Sequence, residues 1–161
     1  MSLEKVKEYF APLGRAEDIM EFPVSSATVE LAAKALNVAP ARIAKTLSFK
    51  VNDGCVLVVT AGDAKIDNAK YKAFFGAKAK MLTPEEALAF TGHAVGGICP
   101  FGIENEKVTC YTDKSLQRFA TVFPAAGSNN SAIELTCEEL FSYANSKAWV
   151  DVCKGWQTEE D

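Results

Sequence analysis

The sequence has little histidine and no closely paired cysteines, and these shortages exclude whole classes of protein. Its 161 residues include one histidine and five cysteines, and no C-x-x-C motif occurs. A zinc site usually takes four cysteine or histidine ligands in close pairs, so no zinc centre can be drawn. The odd number of cysteines predicts reduced, mostly buried thiols rather than a disulfide framework. We expect neither a metal nor another cofactor.

Long apolar runs are also missing. No stretch approaches the roughly 18 apolar residues of a membrane span. The N-terminal segment MSLEKVKEYF carries charges where a secretory signal would have its apolar core. Hydrophobic residues make up 48% and charged residues 24%, which is globular usage and excludes disordered, collagen-like and coiled-coil chains. We predict one soluble, cytoplasmic domain over residues 1–152, followed by a short polar tail at residues 153–161.

An excess of positive charge is absent too, because the formal net charge is −4. A free-standing, sequence-specific DNA-binding protein is usually basic, so we expect no DNA partner, and no membrane partner either. The charge is nevertheless uneven: residues 42–80 carry eight basic and three acidic side chains, a local balance of +5. This stretch either steers an anionic partner or forms a solvated, lysine-rich face.

Hydrophobic periodicity and turn signals predict a mixed α+β domain. Predicted helices cover residues 2–13, a segment capped by Ser25 or Ser26 that runs to about residue 36, 65–75, 84–91 and 137–145. Predicted strands cover residues 19–22, 43–51, 55–61, 78–82, 107–111, 119–123, 131–135 and 148–152. Asn52-Asp53-Gly54 indicates a hairpin between the two longest strands. Thr83 and Thr136, each followed by acidic residues in the first turn, are the predicted caps of the last two helices. The strands do not alternate regularly with helices and no glycine-rich phosphate turn occurs, which excludes a doubly wound nucleotide-binding fold.

Lys45 is the most informative single residue. The two-residue period of a strand places it on one face with Ile43, Leu47 and Phe49, as the one charge in an apolar row. An ammonium group there must meet an anion, reach water or lose its proton. A cleft that receives a phosphate, a carboxylate or an ester oxygen would satisfy it. Alternatively, Lys45 stands near the start of the strand and extends outward to solvent.

Two loops of small residues are candidate binding segments. Residues 95–102 (VGGICPFG) contain three glycines and a proline, so a ligand can come close to main-chain N–H groups that hold a carbonyl or an oxyanion. Residues 123–130 (FPAAGSNN) offer a hydroxyl and two amides. Either loop is also compatible with an ordinary connection. His93 and Cys99 suggest a Cys–His nucleophile pair, although the signatures of cysteine hydrolases are missing.

Four stretches carry a resemblance to a known family. They are residues 25–38 (SSATVELAAKALNV), 41–49 (ARIAKTLSF), 94–102 (AVGGICPFG) and 123–135 (FPAAGSNNSAIEL). The chain resembles the YbaK/EbsC proteins, stand-alone relatives of the editing domain inserted in bacterial prolyl-tRNA synthetases. The order and spacing of the four stretches fit this family from about residue 3 to residue 152.

The resemblance implies a trans-editing aminoacyl-tRNA deacylase, which hydrolyses the ester between a wrong, small amino acid and the terminal adenosine of a tRNA. It implies a curved, mixed, partly barrel-like β-sheet flanked by helices. The expected partners are the acceptor end of mischarged tRNA and, in addition, an aminoacyl-tRNA synthetase. Several family members need no protein nucleophile, because a group of the substrate or an ordered water attacks the ester.

The resemblance also implies which residues form the site. The family lysine, which interacts with the 3′ end of the tRNA, matches Lys45, the expected catalytic residue. The family G-x-x-x-P loop, whose backbone lines the aminoacyl pocket, matches residues 96–100. The expected substrate-binding residues are Ser26, Gly96, Gly97, Ile98, Pro100, Gly127 and Ser128.

Two departures from the family bear on the amino acid that is removed. In cysteine-specific members the residue just before the late I-E-L is acidic, whereas this chain has Ala132. Those members also carry Ser-Gly-Gly where this chain has Ala125-Ala126-Gly127. We therefore predict the reaction class and leave the amino acid open. The alternatives are a non-catalytic tRNA- or synthetase-binding module with the same cleft, and an unrelated thioesterase or cysteine hydrolase that uses Cys99.

Overall fold

The computed structural model describes residues 2–94 and 96–156. The helices are α1 (Ser2–Phe10), α2 (Val29–Leu36), α3 (Asn68–Phe75), α4 (Pro84–Thr91) and α5 (Cys137–Tyr143). The strands are β1 (Met20–Glu21), β2 (Ile43–Val51), β3 (Gly54–Ala61), β4 (Lys65–Ile66), β5 (Val108–Asp113), β6 (Thr121–Pro124), β7 (Ser131–Ala132), β8 (Leu135–Thr136), β9 (Trp149–Val150) and β10 (Cys153–Lys154). Short 3-10 helices cover Ala11–Leu13, Ala16–Asp18, Pro40–Arg42 and Lys114–Arg118.

The main sheet has six strands in the order β8-β6-β2-β3-β5-β9 and curls into a half-barrel. It is mixed, because β2 pairs with β3 antiparallel and with β6 parallel. Two small ladders accompany it, one of β1 with β7 and one of β4 with β10. The predicted α+β domain with a curved, mixed sheet flanked by helices is confirmed. No helix in the described part of the chain is long and apolar enough to cross a membrane.

The β2–β3 hairpin forms where the sequence predicts it. Asn52 takes a left-handed conformation (φ 52°), and Val51 pairs with Gly54 across the turn. Strand β3 is apolar at nearly every position, which is typical of a strand that is buried on both faces. All its residues after Gly54 are buried, and residues 57–59 are fully buried. The long, buried β3 therefore anchors the core on which the site is built.

Helix starts are set by local capping at two of the three predicted positions. Thr83 and Thr136 each form a capping box with the glutamate three residues later. The prediction that Ser25 or Ser26 caps α2 is wrong, because the Thr28 hydroxyl accepts the hydrogen bond from the backbone N–H of Leu31. The chain before Thr28 instead follows the loop at Asn129, whose carbonyl accepts the N–H of Ser26 at 2.6 Å.

Residues 78–82 do not form the predicted strand. They make one bridge, between Met81 and Phe49, together with hydrogen bonds from Lys50 N to Lys80 O (2.7 Å) and from Leu82 N to Ser48 O (3.1 Å). Strand β6 pairs only with the first two residues of β2, so this segment covers the edge that β6 leaves free. The covering is too short for a regular ladder but satisfies the exposed backbone groups.

Two other predicted elements are divided in the structure. The predicted helix 65–75 opens with β4, and α3 begins only after Asp67, whose carboxylate caps it by accepting from Lys70 N at 3.0 Å. The predicted strand 131–135 becomes β7 and β8, which pair with β1 and β6 respectively. Both divisions follow from long-range partners that a local pattern does not reveal.

The end of the domain extends past the expected boundary at residue 152. Cys153 is fully buried and pairs with Ile66 in the β10–β4 ladder, and the ring of Trp156 lies against Arg118. Residues 153–156, assigned to the polar tail from sequence, therefore pack on the fold. The rest of that tail, residues 157–161, lies outside the described residues.

Candidate functional site

A cavity of about 360 Å³ opens between α2, the first half of β2, the start of α4 and two loops. Its walls are mostly small and apolar, and Lys45 is the one ionisable side chain among the described residues that line it. The lining residues are Ser26, Ala27, Thr28, Val29, Ala32, Ile43, Ala44, Lys45, Thr46, Ser48, Met81, Leu82, Pro84, Ala87, Gly96, Ile98, Phe123, Ala125, Ser131 and Ala132. We call this space the α2–β2 cavity. An apolar pocket with a few convergent polar groups is the usual form of a small-ligand site.

The structure divides the predicted site residues between different surfaces. Lys45, Ser26, Gly96 and Ile98 line the α2–β2 cavity. Gly97, Gly127 and Ser128 instead line a groove beside α1 and α4, and Pro100 borders a third space near the end of α5. Four of the eight predicted residues therefore meet around one cavity.

Lys45 is half-buried at the cavity, and its ammonium group is anchored. Its Nζ donates a hydrogen bond of 2.6 Å to the carbonyl oxygen of Ala64, which follows β3. Burial lowers the pKa of Lys45, while the negative field of neighbours that include Asp63 and Glu30 opposes this shift. The result is a positive charge that is held in place beside an apolar pocket rather than extended freely into solvent.

Strand β2 also supplies site residues that sequence reasoning missed. Ala44, Thr46 and Ser48 all line the cavity, whereas Leu47 and Phe49 do not. The Thr46 hydroxyl oxygen is buried and has no hydrogen-bond partner among the described protein atoms. A row of small residues at alternate positions of an otherwise bulky strand is the signal that could have indicated a concave wall.

The residues of the 96–98 turn point in alternate directions. Gly96 has a φ of 97° and faces the cavity, where an added β-carbon would lie 3.3 Å from the Cβ of Ala27. Gly97 packs on the other loop, since a β-carbon there would lie 2.8 Å from backbone atoms of both Gly127 and Ser128. The N–H of Gly97 already donates to the Ala94 carbonyl at 3.0 Å. Gly96 and Ile98 are thus the residues of this turn that line the cavity. Val95 lies outside the described residues.

The loop between β6 and β7 (residues 125–130), which we call the late loop, closes the cavity through its backbone. Ala125 and Ala132 form an isolated antiparallel bridge and both line the cavity. The Ser128 hydroxyl lies 2.8 Å from Asn130 Oδ1 and 2.6 Å from Ser131 Oγ, so it holds the loop together. One residue from each departure from the cysteine-specific relatives, Ala125 and Ala132, therefore belongs to the cavity wall, whereas Ala126 and Gly127 do not line the cavity.

Cys99 and His93 do lie side by side, with Sγ 3.6 Å from Nε2. Both are fully buried, and neither lines the α2–β2 cavity. Burial raises the pKa of Cys99 to about 12 and lowers the pKa of His93, so both are neutral near pH 7. Nε2 lies 2.8 Å from the Phe101 carbonyl, which only accepts, so Nε2 carries the proton and cannot take one from the thiol. This pair is not an activated nucleophile.

Metal-binding geometry is likewise not found in the described ranges. No group of three or more histidine, cysteine, aspartate or glutamate side chains in residues 2–94 and 96–156 is arranged to hold a metal ion. The five cysteines are free thiols.

The family model of the aminoacyl-tRNA editing domain matches residues 24–143, and the chain belongs to this family. The matched range includes every lining residue of the α2–β2 cavity.

Some relatives match the full length of the chain and others match part of it. The uncharacterized protein YwhH of Bacillus subtilis (strain 168) is 54% identical over 98% of this chain and 100% of its own length. Proline–tRNA ligase of Thermotoga sp. (strain RQ2) is 37% identical over 57% of this chain but only 16% of its own length. A crystal structure described as a proposed trans-editing enzyme for prolyl-tRNA synthetase has a TM-score of 0.85, with 27% identity over 96% of this chain and 98% of that one.

Proposed function

We propose that this protein is a trans-editing aminoacyl-tRNA deacylase that hydrolyses the ester of a small amino acid mischarged on a tRNA. The observation that carries the proposal is the anchored ammonium group of Lys45 at the edge of a pocket with alanine-rich walls. Synthetases discriminate one methylene by only about 1–3 kcal/mol, so a second site that admits small side chains is needed to remove errors. Mischarged tRNA is the proposed partner, and the cytosol is where the protein would meet it.

The proposed chemistry assigns binding and electrostatic roles to the chain's own residues. Lys45 places a positive charge beside oxygens of the terminal nucleotide. The N–H groups of Gly96 and Ile98 are the proposed donors to the aminoacyl carbonyl, on which negative charge develops as the ester is attacked. An aminoacyl ester is already activated compared with an amide, so orientation and a few fixed donors supply sufficient catalysis.

The attacking group in this proposal is an ordered water molecule or a group of the substrate itself. Lys45 is the one ionisable residue among the described lining residues, and the Cys99 thiol is protonated outside the cavity. When water attacks, its oxygen bonds to the acyl carbon to form a tetrahedral intermediate. The bond from that carbon to the ribose oxygen then breaks, and the ribose oxygen takes the proton that the water gives up, which releases the free amino acid and the tRNA. The Thr46 hydroxyl is available to accept or donate a hydrogen bond to the bound aminoacyl group.

The test is single-turnover deacylation with a panel of tRNAs, each mischarged with one small amino acid. We expect hydrolysis of at least one ester at a rate well above the spontaneous rate, and an unchanged rate for Cys99→Ser. Tight binding of mischarged tRNA without turnover would instead support the alternative, a non-catalytic tRNA- or synthetase-binding module. Activity that disappears in Cys99→Ser would support a cysteine hydrolase.

A further inference from the structure

A network of contacts centred on Arg118 ends at the carbonyl group that anchors Lys45. The Arg118 guanidinium donates to both oxygens of Asp63 (2.5 and 3.0 Å), to Ser115 O (2.8 Å) and to Trp156 O (3.1 Å). It also lies over the rings of Phe119 and Trp156, at 4.8 and 5.1 Å from their centroids. A bidentate carboxylate pair and two aromatic contacts fix a guanidinium in a single orientation.

The carboxylate that Arg118 holds belongs to the short segment 62–64 after β3. On one side of this segment Gly62 packs closely against the 3-10 helix Pro40–Arg42. A β-carbon at Gly62 would lie 2.1 Å from Pro40 O. On the other side Asp63 is held by Arg118. The next residue, Ala64, is fully buried and offers its carbonyl to Lys45 Nζ at 2.6 Å. Together with the hydrogen bond from Ala64 N to Ala61 O (3.0 Å), these two contacts hold the carbonyl in place.

We propose that Arg118 is a positioning residue for Lys45 and acts through Asp63 and the Ala64 carbonyl. The proposal rests on the proposed function, in which the Lys45 ammonium contacts the substrate. A lysine side chain is flexible over four carbons, so its charge stays in place only if its partner does. Misplacement by about 1 Å of a group that contacts the substrate can lower a rate about 100-fold. The same network ties residue 156, at the end of the described chain, to the site.

The first experiment measures single-turnover deacylation for Arg118→Met and for the milder Asp63→Asn. We expect the rate at saturating tRNA to fall about tenfold while the half-saturating tRNA concentration stays the same, because the lost interaction matters in the transition state. Arg118→Lys should rescue poorly, since an ammonium cannot bond both oxygens of Asp63 in one plane. Arg15→Met is the matched control, because Arg15 pairs with Asp18 and Glu139 and should leave the rate unchanged.

A double-mutant cycle separates positioning from a purely structural role. If Arg118 acts through Lys45, Arg118→Met should lose its effect in the Lys45→Ala background. A loss of rate that persists in that background would overturn the proposal. Melting temperatures of all variants are measured in parallel, and Asp63→Asn provides the comparison if Arg118→Met unfolds.

A second readout does not depend on activity. Trace acetylation with acetic anhydride reports how freely the Lys45 amine reacts, and the exposed Lys72 in the same chain is the internal reference. We expect the ratio of Lys45 to Lys72 labelling to rise about tenfold in Arg118→Met and Asp63→Asn. The reason is that the Lys45 amine reacts more freely once its hydrogen bond to the Ala64 carbonyl is lost. An unchanged ratio in folded variants overturns the proposal. If the wild type deacylates none of the tRNAs, the proposed function fails, while the labelling ratio still decides whether Arg118 positions Lys45.

Discussion

The cavity wall around Lys45 and the sealed interior around Cys99 both bury polar side chains, in two different settings. Lys45 and Thr46 meet an open volume of about 360 Å³, and the Thr46 hydroxyl has no partner among the described protein atoms. Cys99 and His93 are enclosed by the core, and burial keeps both neutral. The comparison teaches that a reactive residue type and a close partner do not make a site without access to a cavity.

Lys45→Ala is expected to have the largest effect on activity. It therefore distinguishes the cavity wall around Lys45 most clearly from the buried interior around Cys99. Loss of a hydrogen-bonded charge in the transition state should cost roughly 2–4 kcal/mol, or about 30- to 1000-fold in rate. Stability should change little, because the removal of a half-buried ammonium is offset by the loss of its hydrogen bond to the Ala64 carbonyl. Lys45→Arg should rescue poorly, since the planar fork does not fit the place of a compact charge. Thermal unfolding paired with single-turnover deacylation measures both, and a wild-type rate in Lys45→Ala would remove Lys45 from the site.

Gly97→Val tests the packing between the two loops. From sequence alone we would expect this change to block the pocket while the fold survives. The structure instead predicts loss of stability by about 3 kcal/mol or more, because the new side chain would overlap the backbone of residues 127 and 128. The melting temperature of Gly97→Val is compared with that of Gly14→Ala, where an added β-carbon meets no atom within 4 Å and only the positive φ opposes the change. Equal melting temperatures would contradict the loop packing.

Thr46→Val should separate function from stability at the cavity wall. The two side chains have similar shapes, and the substitution removes a buried hydroxyl that has no protein partner. We expect the rate to fall about tenfold and stability to rise by about 1 kcal/mol. Ser142→Ala, on the partly exposed helix α5, is the control. A Thr46→Val protein with the wild-type rate would show that the hydroxyl does not contact the aminoacyl group.

The salt dependence of tRNA binding tests whether a lysine pair near the site, with one member in the basic stretch at residues 42–80, contacts phosphate. Lys70 is paired with Asp151, whereas Lys65 lies directly opposite Lys154 across the β4–β10 ladder and next to the Ala64 carbonyl that holds Lys45. Like charges in register are unfavourable unless an anion joins them. Neutralising Lys65 and Lys154 should flatten the log–log salt slope by about 0.7 for each phosphate that the protein no longer neutralises. Lys72→Gln is the control; equal slopes would indicate a solvated face.

Cys99→Ser should have the smallest effect on activity. The thiol is protonated, fully buried and away from the cavity, so the rate should stay within about twofold of the wild type. The hydroxyl places a stronger polar group in the core, and we expect about 1–3 kcal/mol of destabilisation. Deacylation and chemical denaturation of the same sample measure both effects. A large loss of rate without a loss of stability would favour the cysteine-hydrolase alternative.

Sequence reasoning succeeded where the signal is local. The turn at residues 52–54 and the threonine caps of α4 and α5 depend on neighbours within a few positions. It failed where a distant backbone decides: the Asn129 carbonyl draws Ser26 away from the start of α2, so that Thr28 becomes the cap. Gly96 lines the cavity, whereas Gly97 packs against residues 127 and 128. The sequence could not predict this difference, because it depends on where residues 127 and 128 lie.

The late loop and the N-terminal segment meet across more than a hundred residues of sequence. Met20 pairs with Ala132, and Ser26 bonds to Asn129, 103 positions away. Contacts of such long range cost more loop-closure entropy than the hairpin of β2 and β3, so we expect them to form after it. On the ribosome, the β2 wall of the cavity is available early in synthesis, but the pocket is closed only after residues 129–132 have emerged. A chain truncated before β7 therefore has no complete pocket, because Ser131 and Ala132 are part of the cavity wall.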